Sequence, residues 1–289
     1  MELARQNKSV HTKYLEIIHN DFMLGDHRDG VSYFTKRSQW KWIRKDIKEK
    51  NGIFYSIELP EFKYQNLDNP KMVIIFSLLG SDSSNAGLRT FPVYFPDITA
   101  HIFKGTTIVR IMDFNLSHGS FYLNTINYPK YELNIQKTIK ELISGNHILP
   151  DNVVMLGSSK GGTGALYHGL LGNYKSLSID PITNENYFVK NKNDWHFMLG
   201  SRELDFIPEI NKLSNFGDKT AIVVGNSLVE ETYQDILRLS TDTRIKVFDT
   251  KNPLAYMHLL VGPAAKIEMI TLLNILLDND LHSWLKNLE

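Results

Sequence analysis

Residues 152–166 read Asn-Val-Val-Met-Leu-Gly-Ser-Ser-Lys-Gly-Gly-Thr-Gly-Ala-Leu, and few folds accommodate that order of residue types. An apolar run, 153–156, meets Gly157-Ser158-Ser159-Lys160-Gly161, and a helix-forming segment, 161–171, follows. A G-x-S-x-G pattern at a strand-to-helix junction puts its central serine on a tight turn with the hydroxyl held out of the sheet. Glycines two before and two after remove the Cβ atoms that would crowd that turn. Ser159 is therefore the candidate nucleophile. At the positive end of the following helix it would favour an anionic tetrahedral intermediate. Ser158 competes, but Leu156 rather than glycine stands two residues before it, so the register favours Ser159. Read as a bare motif, the stretch also fits a purely structural glycine-rich junction. A second rival is a phosphate-binding loop, which Lys160-Gly-Gly-Thr-Gly164 resembles. That loop needs a further lysine and a hydroxyl for the magnesium ion, and Ala165 and Leu166 stand in those places.

The chain around this junction alternates. Residues 52–59 have the period of a strand, 71–79 form a continuous apolar run, and 106–114 form another. An unbroken apolar strand is what a parallel sheet, buried on both faces, requires. Residues 134–143 are helix-periodic. Beyond the serine turn come strand 177–179, strand 221–224, helix 228–239, strand 245–248 and a last helix over 264–277. An irregular insertion, 181–215, carries Tyr187, Trp195, His196 and Phe197. Regular strand–helix alternation implies an α/β fold, a mostly parallel sheet covered by helices on both faces. Residues 1–50 are expected to be an N-terminal helical extension, with Tyr14, Ile17, Ile18 and Phe22 at helical spacing, and 51–289 one domain. Within the extension, the basic run 36–50 interleaves Trp40, Trp42 and Ile43 with Arg and Lys. It reads as an amphipathic surface helix, with contact to an anionic glycan or membrane surface as the alternative.

Composition removes several functions. Basic and acidic residues balance at 32 each, without the basic excess of a nucleic-acid-binding surface. There are 0 cysteines, which excludes disulfides, thiolate metal sites and a cysteine nucleophile. No histidine–carboxylate cluster has metal-ligand spacing and no dinucleotide glycine pattern occurs. Residues 1–6 lack the apolar core of a signal peptide, and runs such as 72–76 are far shorter than a membrane span. A cytoplasmic protein, or one peripheral to the membrane, is the expectation.

A nucleophilic serine needs a base, and in a fold of this kind the order along the chain is serine, acid, histidine. After Ser159 come His168, within the following helix, His196 in the insertion, His258, and His282 in the C-terminal tail. His258 follows the last strand by about ten residues in the loop 250–260, where the base belongs; a histidine merely bonded within its loop is the plainer reading. For the acid, the loop after 221–225 is the usual place, and its carboxylates are Glu230 and Glu231. Glu230 is the expected partner, although Ser227-x-x-Glu230 also spells a capping box. Asp180, after strand 177–179, Glu231 and Asp249 are the alternatives. The oxyanion hole is expected from the N–H of Lys160 and one from the loop after 72–76, around Leu78, Leu79 and Gly80, with Leu79 the choice. The polar stretch 80–85 fits an active-site loop or an ordinary turn.

Over roughly 70–282 the chain resembles the α/β-hydrolase superfamily. Its elbow G-S-S-K-G-G and its strand end F-S-L-L-G (76–80) also look like bacterial capsular-polysaccharide biosynthesis proteins of this fold, some of whose relatives are serine-dependent polysaccharide O-acetyltransferases. More distantly it is similar to accessory secretory proteins that modify glycosylated adhesins. The resemblance carries Ser159 and His258 over. It does not carry the acid, because the usual aspartate past the seventh strand is replaced by Ser227-Leu228. It implies acyl transfer to a capsular or cell-surface polysaccharide, with no bound cofactor and acetyl-CoA as acyl-donor co-substrate. Capsule-synthesis enzymes at the inner membrane surface are the implied partners. A carbohydrate esterase with the same triad, and a non-catalytic scaffold in a capsule assembly complex, are the alternatives.

Overall fold

The computed structural model describes residues 2–42, 44–65, 68–80, 85–194 and 199–286. Two helices open the chain, α1 (Glu2–Gln6) and α2 (Lys8–His19). Asn7 caps the second by accepting from the N–H groups of Ser9 and Val10. The expected helical extension ends there. Asp29 and Gly30, with φ of 53° and 74°, make a two-residue turn between β1 (Phe22–Arg28) and β2 (Val31–Lys36), which pair antiparallel. A turn with positive φ at both central positions is the one that Asp-Gly favours in a hairpin.

The basic run is not a helix either. It passes from β2 through a single 3-10 turn and ends in β3 (Lys48–Lys50). Trp40 and Trp42 pack on each other at 5.3 Å between ring centroids, and on Phe114 at 4.9 and 5.2 Å. With Met23, Phe54 and Phe91 they form a satellite core. A surface helix would leave both indoles in water; this arrangement removes a large apolar area from it. Ile43 lies outside the described residues. Nor do α1 and α2 stand apart, since Tyr14 and Ile18 are buried against Leu166, Leu170 and Phe206, and the Tyr14 hydroxyl donates to Ser117 Oγ at 2.7 Å.

From β3 onward the chain builds one eight-stranded sheet. Its elements are β4 (Ile53–Glu58), β5 (Lys71–Phe76), α3 (Ala86–Thr90), β6 (Thr106–Ile111), α4 (Tyr131–Gly145), β7 (Val153–Ser158), α5 (Lys160–Gly172) and β8 (Lys175–Ile179). The insertion contributes α6 (Asn186–Lys192) and α7 (Ile207–Ser214); Trp195, His196 and Phe197 lie outside the described residues. Then come β9 (Ala221–Gly225), α8 (Glu230–Ile236), β10 (Ile245–Asp249), α9 (His258–Ala264), α10 (Lys266–Leu277) and α11 (Asn279–Lys286). The single helix expected over 264–277 is α10 with a bend of 62° to α9. Among the described residues no single helix is long and apolar enough to cross a membrane.

Strand order is β10-β9-β8-β7-β5-β6-β4-β3. The strands from β10 to β6 run parallel, β4 pairs antiparallel with β6, and β3 pairs antiparallel with β4. Successive side chains alternate between two buried faces. Val153 and Met155 of β7 pack under α4, while Val154 and Leu156 pack under α10. Register brings the carboxyl ends level: Phe76 pairs with Gly157, Ser158 with Ile179, and Gly225 with Asp249. The segments leaving β5, β7, β8, β9 and β10 therefore emerge side by side, which is where open α/β sheets bind ligands.

Candidate active site

Ser159 is the residue between β7 and α5, with φ 54° and ψ −123°. A non-glycine residue held there costs about 1–3 kcal/mol, supplied by the surrounding structure. Its N–H donates to Ile179 O at 2.9 Å and its carbonyl accepts from Thr163 at 3.1 Å. The flanking glycines are required by contact. A Cβ on Gly157 would stand 2.0 Å from the Gly161 carbonyl oxygen, and one on Gly161 would stand 2.1 Å from that of Phe76. Ser158, the competing serine, is buried and faces α9, where a Cβ on Gly262 would lie 3.3 Å from its hydroxyl.

His258, the first residue of α9, places Nε2 2.7 Å from Ser159 Oγ. The opposite nitrogen, Nδ1, lies 2.7 Å from Asp180 Oδ2. A carboxylate only accepts, so Nδ1 carries the proton and Nε2 is left to accept from the serine hydroxyl. The imidazole is one-tenth exposed and the Asp180 side chain is buried. Asp180 is the residue immediately after β8, with φ 42°, and its N–H is fixed on Val224 O at 2.7 Å.

This corrects the expected acid. Glu230 does not meet His258; it begins α8 and lines an open groove with Tyr187, Leu228, Val229, Glu231 and Tyr256. The capping box is not formed, since Val229 precedes the helix and no side chain caps it, while the Ser227 N–H donates to Asp249 Oδ1 at 2.9 Å. After β9 the loop docks through Asn226, whose buried amide donates to the carbonyls of Asn252 and Ala255 at 2.8 and 2.9 Å. The usual acid position thus holds the histidine's loop by its backbone and leaves the imidazole to a carboxylate from the neighbouring strand. Glu231 accepts from the Tyr187 hydroxyl at 3.3 Å, and Asp249 caps its own turn by accepting from Lys251 N. Neither is bonded to His258.

The other histidines fall elsewhere. His168 is fully buried, bonded to Gln136 and the Tyr122 carbonyl and stacked on Phe76; burial pushes its pKa down to about 4. His282, on α11, meets Thr220 at 3.1 Å, and His196 lies outside the described residues.

Lys160, the first residue of α5, has no helical carbonyl for its backbone N–H. Its side chain is sealed in the protein, with Nζ 3.3 Å from Asp113 Oδ2 and 3.2 Å from the His118 carbonyl oxygen. Burial pushes the ammonium's pKa down, and Asp113 opposes the shift. The segment after β5 leaves the sheet beside Gly161. There the Gly80 N–H is taken by Arg89 O at 2.8 Å, so of the three expected residues a second free donor falls to Leu78 or Leu79. Residues 81–84 of the polar loop lie outside the described residues. Asp113 and Asn226 were not singled out from the sequence. Asp113 was legible as a lone carboxylate closing the apolar run 106–114.

Near Lys160, Glu185 is buried with Oε2 lacking a hydrogen-bond partner among the described residues. Burial pushes its carboxyl up to about 8, with Arg202 opposing. A carboxyl raised in the fold keeps its proton where the unfolded chain has lost it, so it contributes stability that declines as pH rises from about 4.5 toward 8. The expected slope is up to roughly 1.4 kcal/mol per pH unit. Glu185→Gln removes that decline, and denaturant titrations of both proteins across this window check it; parallel curves would refute the shift.

The strand order, the serine elbow after β7 and the histidine after β10 define an α/β-hydrolase fold. Solved structures agree. The capsule O-acetyltransferase of Neisseria meningitidis serogroup A matches with a TM-score of 0.55 at 17% identity, over 81% of this chain and 94% of that one. A mutant of that enzyme in complex with CoA matches with a TM-score of 0.55 at 17% identity, over 80% and 94%. An esterase from Rhizomucor miehei gives 0.53 at 14% identity, over 82% of each chain. Neither a family model nor a curated protein sequence matches the chain.

Proposed function

We propose that this protein is a serine-dependent acyltransferase that O-acetylates a capsular or cell-surface polysaccharide, with acetyl-CoA as donor. The observation that carries the reading is the continuous relay from Ser159 through His258 to Asp180, two bonds of 2.7 Å on a strained elbow. Ser159 Oγ attacks the acetyl carbonyl as His258 Nε2 takes its proton, and Asp180 stabilises the imidazolium that forms. The oxyanion is held by the N–H groups of Lys160 and Leu79. Collapse expels the thiol, protonated by His258, and leaves an acetyl ester on Ser159. His258 then removes the proton of a sugar hydroxyl, which attacks that ester and regenerates the serine.

The fold shared with a capsule O-acetyltransferase supports the choice of substrate, and the CoA complex of its mutant supports the donor. A donor of this kind calls for a cytoplasmic enzyme beside the polysaccharide assembly at the membrane. With water as acceptor the same residues make a carbohydrate esterase, a reading favoured by the likeness to the R. miehei esterase. A carboxylate 2.7 Å from His258 Nδ1, that of Asp180, favours a catalytic protein over a non-catalytic scaffold. The deciding experiment incubates the protein with radiolabelled acetyl-CoA, with and without bacterial polysaccharide. Label on the polysaccharide supports the transferase; release as free acetate at equal rates with and without polysaccharide supports the esterase. No turnover, together with no fluorophosphonate labelling, would overturn both.

A further inference from the structure

The groove that Glu230 lines takes no part in the relay. It has a volume of about 360 Å³ and is bounded by Tyr187, Leu228, Val229, Glu230, Glu231 and Tyr256, within the roughly 300–1,000 Å³ range of ligand sites. Its position follows from the chain. Tyr256 stands two residues before His258, and Tyr187 stands on α6 just past Asp180. Val229 is buried with Ala255 and Val261 beneath the segment that carries the histidine. The groove therefore lies between the insertion, at Tyr187, and the segment that leads through Tyr256 into His258.

Its lining is chemically particular. Tyr256 is 71% exposed, a large aromatic residue presented to water. Tyr187 is steadied by its hydroxyl's bond to Glu231 Oε2. Two carboxylates line the groove and no lysine or arginine does, so the phosphates of an anionic acyl donor would be repelled. An aromatic face takes the C–H face of a sugar ring, and carboxylates accept from its hydroxyls in charge-assisted bonds.

Resting on the acyl-transfer reading, we infer that this groove is the acceptor subsite and holds an uncharged pyranose of the polysaccharide, stacked on Tyr256 and hydrogen-bonded by Glu230 and Glu231. The donor enters from another side.

The test is calorimetric titration of the full chain with two neutral trisaccharides, maltotriose and chitotriose. At least one should bind. Tyr256→Ala, at an exposed position that the fold does not depend on, should weaken it about tenfold, the loss of one aromatic anchor. Tyr256→Trp should preserve binding, and Glu231→Gln should weaken it. Absence of binding to both sugars, or equal affinity in wild type and Tyr256→Ala, would overturn the subsite. Fluorophosphonate labelling of Ser159 is run in parallel. Labelling without sugar binding defeats the subsite alone; sugar binding without labelling leaves a sugar-binding groove and defeats the acyl-transfer reading, and with it the groove's role as acceptor subsite.

Discussion

Ser159→Ala should abolish fluorophosphonate labelling and lower kcat on the order of 10⁶-fold, the loss expected when one member of a cooperating triad is removed. The folded state should survive the change. Alanine meets the same backbone penalty as serine at φ 54°, and the elbow is held by the Ser159 N–H bond to Ile179 and by glycine contacts that the substitution leaves alone. Thermal melting of the variant should match wild type. Ser158→Ala supplies the contrast, because that hydroxyl lies against Gly262 of α9, whereas His258 Nε2 is bonded to Ser159. If Ser158→Ala abolished labelling while Ser159→Ala did not, the elbow would have been assigned in the wrong register.

What could be read from the chain divides by the range of the interactions involved. The elbow is a local device, forced by backbone contacts between residues four apart and by the strand beside them, so its signature survives in sequence as Gly157 and Gly161. His258 was legible because connectivity alone restricts the base to the segment after the last strand. The N-terminal hairpin was missed although it carries a local signal, Asp29-Gly30, because the helical spacing of the preceding residues was extended too far. Trp40 and Trp42 were misplaced for a different reason. An aromatic–basic alternation looks the same on a surface helix and on an irregular segment whose rings turn inward, and only the partner rings of Phe54 and Phe114 decide between them. The acid was named only as an alternative, Asp180, because the choice among the carboxylates depends on register between strands. Ser158 pairs with Ile179 across β7 and β8, so the residue after each strand, Ser159 and Asp180, is delivered to the same point.

That register makes the last expected result the most discriminating. Asp180→Asn should lower kcat on the order of 10⁴-fold with the fold intact, because the two side chains have nearly the same shape but not the same hydrogen-bonding sense. The carboxylate only accepts, which keeps the imidazole proton on Nδ1 and leaves Nε2 free to take the proton of Ser159. An asparagine can present its N–H₂ group instead, turning the ring to the tautomer that carries its proton on Nε2. That tautomer cannot act as the base. Asparagine also carries no charge to stabilise the imidazolium formed in the transition state. Steady-state hydrolysis of a small activated ester, with the melting temperature of each variant, reads both effects. Asp249→Asn, which loosens a turn that accepts from Ser227 and Lys251, should lower the melting temperature more than the rate. A loss at Glu230→Gln as large as that at Asp180→Asn would return the acid to the loop after β9. Full activity in Asp180→Asn would show that the 2.7 Å contact between Asp180 and His258 orients nothing the reaction needs.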